Sequence, residues 1–224
     1  MTGCGKSCIL CSLSNKTLLV KGESKFMHLE GEGVGHGLKS FTSIPMFEKG
    51  KIIKQILIDC PGFNDVRGYM TEILNAFSMD NIFETYEGHE NKFKIVLVVS
   101  QGEFSSTKGT AVIDSLLRLE EMFPIGTSLR DNIGLIVTKG STEYEGFDYI
   151  DELNNDIKLT ENPDEKIVAM CQSLLSHRDH IFTFPRPSRK DKDMPYEFDD
   201  HDNLLNFLDN DYLINPKHKI ALSA

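Results

Sequence analysis

The sequence predicts an α/β fold built around a mostly parallel sheet. Two continuous apolar runs carry that expectation, KFKIVLVVS at 92–100 and NIGLIVT at 132–138. Apolar runs without alternation suit strands covered on both faces, as in a parallel sheet. The third observation is the helical stretch between them, 108–122, which sets Val112, Leu116 and Leu119 on one face. Strands that alternate with helices give layered α/β architectures.

The other elements follow in order. Residues 6–14 read as a short helix with Ile9, Leu10 and Leu13 apolar. The stretch EGEGVGHGLKS at 30–40 is too rich in glycine for an element interior and reads as a loop. A strand at 41–47, a Glu-Lys-Gly turn at 48–50 and the strand KIIKQILID at 51–59 predict an antiparallel hairpin. CPGFNDVRG is loop chemistry, and a helical region is expected at 69–86. Beyond 138 come a helix at 164–175, a short strand at 180–184, an acidic linker and a last helix at 201–208. Residues 1–215 are read as one domain and 216–224 as a short tail.

Composition narrows the function. A chain of 224 residues can bury a sizeable core. Its net charge of −10 argues against a general nucleic-acid binder, which needs a basic face. No run of about 18 apolar residues is present, so no membrane-spanning helix is expected. Five cysteines without framework spacing suit a reducing, cytoplasmic setting. Cys4, Cys8 and Cys11 lie close together but have no fourth ligand nearby, so they read as small buried hydrophobes rather than a zinc site.

The chemistry gathers at strand ends. The opening MTGCGKSCIL fits the rear half of G-x-x-x-x-G-K-[ST], a loop that wraps phosphates in backbone N–H groups at a helix N-terminus. Gly5, Lys6 and Ser7 match the pattern, Gly3 and Cys4 are small enough for the loop, and Cys8 follows in the first turn. In this pattern the Lys reaches the β/γ-phosphates and the hydroxyl takes a Mg²⁺ position. Asp59 ends a strand and opens Asp-Cys-Pro-Gly, a form of D-x-x-G, in which the Asp serves the metal and Gly62 N–H faces a γ-phosphate. Thr42 follows the glycine-rich loop, where a hydroxyl can close over the metal when a third phosphate is present. Thr138 and Lys139 end the next buried strand, and the Lys stem can lie along a base.

Taken together, TGCGKS, GHGLKSFTS, DCPGFNDVRG and LIVTKG resemble the motifs of a P-loop GTPase. The chain is most similar to the branch that holds septins, Toc-type import GTPases and immunity-associated GTPases. The resemblance covers nearly the whole chain. It implies a three-layer P-loop NTPase fold of Ras-like type, GTP or GDP as ligand and Mg²⁺ as cofactor, with metal ligands Ser7, Thr42 and Asp59. It assigns catalytic roles to Lys6 and Thr42. It implies pairing with a second copy or a related GTPase across the nucleotide face, and places FPRPS (184–188) where a loop closes over the base.

Three features depart from that pattern. The guanine-reading [NT]-K-x-D appears as Thr138-Lys139-Gly140-Ser141, and replacing its carboxylate by a hydroxyl costs about 2–4 kcal/mol of charge-assisted pairing. Glu143 is a weak substitute. Phe63 stands where small GTPases place a water-orienting Gln, so intrinsic hydrolysis is expected to be slow unless a partner, or Arg67 or His36, supplies the group. The first glycine of the loop and the central strand that feeds it would lie before Met1. The sequence-based expectation is therefore that the native protein begins upstream and that the chain as written folds poorly.

Two other readings stay open, a nucleotide-loaded scaffold without turnover and an ATP-using P-loop enzyme. Competition of GTP and ATP for one fluorescent nucleotide separates the last of these from a GTPase. GTP is expected to compete more strongly, and tighter ATP binding would overturn the choice.

Overall fold

The apolar run ending at Thr138 is the centre of the molecule. The protein is seen here in a computed structural model that describes residues 4–14, 16–23, 26–32, 34, 45–50, 56–60, 77–78, 81, 94–105, 109–122, 133–141, 144–159 and 162–209. The described strands are β1 (Leu19–Glu23), β2 (Phe26–Glu30), β3 (Met46–Lys49), β4 (Ile56–Asp59), β5 (Ile95–Ser100), β6 (Ile133–Thr138) and β7 (Ile181–Phe184). The helices described over their length are α1 (Lys6–Leu13), α2 (Gln101–Ser105), α3 (Thr110–Met122), α4 (Gly146–Lys158), α5 (Glu165–Ser176) and α6 (His201–Asp209). Short 3₁₀ turns occupy Arg178–His180 and Arg189–Asp191. The architecture is mixed α/β.

β5, β6 and β7 form a parallel sheet in that order. Every residue of β6 is buried, as a middle strand covered on both faces requires. Ser100 pairs with Thr138, and Thr138 with Phe184, so the three strands end level. α3 buries Val112, Leu116 and Leu119, the face predicted for it, and α4 buries Tyr149, Ile150, Leu153 and Ile157. α6 packs against β6 at Gly134. A Cβ there would sit 2.7 Å from a ring carbon of Phe207, too close for any real contact.

Two antiparallel pairs flank this core as separate sheets, β1 with β2 and β3 with β4. β1 also receives a strap of chain on its other side. Val20 N–H donates to the Met194 carbonyl (3.0 Å), Asp193 N–H to Val20 (2.7 Å) and Tyr196 N–H to Leu18 (2.8 Å). The strap falls in the segment predicted to be an acidic linker.

The helices predicted near 6–14, 108–122, 164–175 and 201–208 are present, as are the strands at 95–100, 133–138 and 181–184. The hairpin of β3 and β4 is antiparallel as expected, but the turn predicted at 48–50 is not there. Glu48 and Lys49 lie in β3, and Lys49 pairs with Ile56. The reason is tertiary: Gly50 bridges to Ser14, beside the Lys16–Glu48 pair, so turn-forming residues are kept extended. Residues 41–44 of the predicted strand and most of the helix predicted at 69–86 lie outside the described residues; Phe77, Ser78 and Asn81 are helical. Nor do the described strands merge into a single mostly parallel sheet. Among the described residues β4 makes no hydrogen-bonded ladder with the parallel sheet, and it packs on α1. Among the described residues no helix is long and apolar enough to cross a membrane.

Replacing Gly134 by Ala should lower the urea midpoint by the equivalent of about 1–3 kcal/mol, the usual penalty of overpacking. An unchanged midpoint would show that Phe207 can move aside.

Candidate functional site

The level strand ends make a rim, and the N-terminal loop sits on it. Thr138 is 1% exposed, and its hydroxyl lies 2.5 Å from the Cys4 carbonyl and 3.2 Å from the Val99 carbonyl. One proton serves both acceptors, weighted to the shorter bond. The loop is thereby tied to the ends of β5 and β6.

Gly5 then turns the chain into α1. Its φ of +94° is left-handed, and a Cβ would be 3.6 Å from Thr138 Cγ2, ordinary contact. Backbone conformation, not space, is therefore what calls for glycine. As the N-cap of α1, Gly5 brings no side-chain oxygen to the helix start, where backbone N–H groups and the helix dipole favour an anion. Lys6 opens the helix, with Nζ 3.8 Å from Cys4 Sγ. Burial raises the pKa of the Cys4 thiol, and the Lys6 charge opposes that shift.

Ser7 meets the other motif. Its Oγ donates to Asp59 Oδ2 at 2.9 Å across 52 residues of sequence, and Asp59 is 5% exposed at the end of β4. That spacing suits a shared cation. Two neighbouring ligands on an octahedral Mg²⁺, each about 2.1 Å from the metal, are about 3.0 Å apart. Among the described residues no three His, Cys, Asp or Glu side chains converge as a metal cage. Mg²⁺ needs none, because one or two protein oxygens, phosphates and water hold it.

Cys8 and Cys11 lie on α1, with Cys11 buried and Cys8 half-buried. Desolvation pushes Cys8 up to about 11 and Cys60, beside Asp59, to about 12, so both are protonated and unreactive near neutrality.

On the far side of the rim, Lys139 adopts a left-handed φ of 59°, uncommon for a residue with a side chain. Its N–H donates to the Phe184 carbonyl (2.9 Å), and its own carbonyl accepts from Arg186 Nε (3.0 Å). Arg186 N–H reaches the Gly140 carbonyl at 3.5 Å. The LIVTKG and FPRPS motifs are thus clasped together. Next to them, Ser141 N–H opposes the upward shift that burial gives the Tyr149 hydroxyl.

Cys4, Gly5, Lys6, Ser7, Cys8, Asp59, Thr138 and Lys139 therefore gather around one end of the parallel sheet. Gly3, Thr42 and Gly62, with His36, Phe63, Arg67 and Glu143, lie outside the described residues. Two parts of the site escaped the sequence reading. Glu103 Oε2 accepts from Ser100 N–H (2.6 Å) and Oγ (3.0 Å), fixing the end of β5. Its signal was the capping pattern Ser-x-x-Glu in SQGE. The resemblance had placed FPRPS at the base, but the contact of Arg186 with Lys139 had no signal in the sequence.

Comparison of the chain with protein-family models, curated proteins and solved structures gave no match.

Thr138→Val keeps the shape of the side chain and removes the hydroxyl that holds Cys4. Stability measured by urea unfolding should fall by about 1–2 kcal/mol. No loss would mean that the loop is anchored elsewhere.

Proposed function

We propose that this chain binds a guanine nucleotide with Mg²⁺ and hydrolyses GTP slowly, working as a switch or through pairing with a second copy. The observation that carries this reading is the Ser7–Asp59 pair, set at the start of α1 beside Lys6. A helix N-terminus that follows a glycine turn suits a phosphate, and a hydroxyl with a buried carboxylate 2.9 Å away suits the cation that accompanies it.

In this reading the loop residues Gly3 to Cys8 direct backbone N–H groups at the phosphates, and the Lys6 ammonium neutralises charge on the outer two. Ser7 and Asp59 hold Mg²⁺ with Thr42, and Gly62 N–H senses the third phosphate. When bound, the metal supplies charge neutralisation at the phosphoryl oxygens. Lys139 lays its stem along the base. Phe63 cannot orient a water molecule, so the group that does so comes from a partner across the nucleotide face or from another residue such as Arg67 or His36.

The same Phe63 favours a second reading, a scaffold that keeps its nucleotide without turnover. Phosphate release at saturating GTP separates the two. Wild type is expected to exceed Lys6→Ala by about tenfold or more, since a positioned cation is worth at least that; equal rates would favour the scaffold. Binding of a fluorescent guanine nucleotide should also weaken on adding EDTA and in Lys6→Ala. Binding indifferent to both would overturn the phosphate-loop assignment itself.

A further inference from the structure

Ser141 stands where a carboxylate would read the N1 and N2 donors of guanine, so the reading above lacks a base-specific contact. The rim of the site offers another. Arg186 is exposed, and its Nε is fixed on the Lys139 carbonyl at 3.0 Å. Its backbone is fixed too. Pro185 and Pro187 flank it and restrict φ on either side, and Tyr196 Oη donates to the Pro185 carbonyl at 2.6 Å. Phe184 packs against the Tyr196 ring, with centroids 5.1 Å apart. A guanidinium anchored through Nε keeps its two Nη groups as a planar pair of donors, and among the described residues no acceptor engages them. Such a fork matches two neighbouring acceptors.

We propose that Arg186 is the base-reading residue, and that it reads the O6 and N7 acceptors of guanine rather than the N1 and N2 donors. This rests on the nucleotide-binding reading and deepens it. Arginine to O6 and N7 is the commonest specific pairing of a side chain with guanine. Adenine presents N7 beside the N6 amino donor, which opposes one arm of the fork. The site therefore selects guanine without a carboxylate, through a residue held at the end of β7 rather than at the end of β6. Lys139 lies alongside, and its left-handed backbone is what turns its carbonyl to Arg186 Nε.

The test is displacement of a fluorescent GDP from the full chain by GDP, inosine diphosphate, 7-deaza-GDP and ADP. Inosine keeps O6 and N7 and lacks the N2 amino group; the deaza analogue lacks N7. GDP and inosine diphosphate are expected to compete within about twofold of each other, and 7-deaza-GDP and ADP about tenfold more weakly. Arg186→Gln presents the donor and acceptor that suit adenine, so it should lose the preference for GDP over ADP or reverse it. Arg186→Lys keeps the charge but not the fork, and should reduce the preference without reversing it.

Two results would overturn the inference while leaving nucleotide binding intact. One is inosine diphosphate competing far more weakly than GDP, with an unchanged GDP-to-ADP ratio in Arg186→Gln. The other is an equal loss for all four nucleotides in Arg186→Gln, which would make Arg186 a clasp between loops and nothing more. Failure of the wild-type chain to bind the fluorescent nucleotide at all would overturn the underlying reading as well.

Discussion

Everything at the candidate site depends on one buried hydroxyl. Thr138 is the last residue of the central strand, and its side chain lies inside the molecule against the Cys4 carbonyl. A buried carbonyl needs a partner, and leaving one unsatisfied costs about 1–3 kcal/mol. The bond therefore fixes where the N-terminal loop rests on the sheet. From that point Gly5, Lys6 and Ser7 take their positions in turn, because the left-handed glycine sets the direction in which α1 departs.

α1 is the joint between the two halves of the site. Its start is set by Thr138, its first turn by Asp59, and its end by the bridge from Ser14 to Gly50. The Lys16–Glu48 pair adds to the last of these, though it is partly exposed and such pairs contribute little. The β3–β4 hairpin makes no ladder with the parallel sheet among the described residues, so Asp59 is located relative to Thr138 through a short helix. Among the described residues, the placing of Asp59 beside Ser7 is thus a property of α1 more than of the sheet.

What the sequence revealed and what it hid follow from burial. β5 and β6 were legible because a strand covered on both faces must be apolar throughout. Val112, Leu116 and Leu119 were legible because their spacing matches a helix turn. α4 was missed although its buried Tyr149, Ile150, Leu153 and Ile157 recur at helix spacing; that signal was present in GFDYIDELNNDIK and was passed over. β1 and β2 were missed because Gly22 and several charged residues hide the alternation; their pairing is completed by chain from Asp193 to Tyr196. At the site, Asp59 and Ser7 could be named from motifs, but their 2.9 Å contact spans too much sequence for spacing to predict. The clasp of Arg186 on Lys139 was hidden for the same reason.

The strap along β1 also bears on how the chain is made. Val20 shares backbone hydrogen bonds with Asp193 and Met194, and Cys4 waits on Thr138. Loop closure over such separations is paid in entropy before any contact rewards it, which slows folding. During synthesis Cys4 and Val20 leave the ribosome well before Thr138 and Asp193 to Met194, at a pace of about 5–20 residues per second. The segment from Cys4 to Ser7 is therefore completed only once Thr138 is in place, and β1 only once Asp193 to Tyr196 are. Until the strap is translated, β1 has an open edge, and an open edge is a template for mispairing.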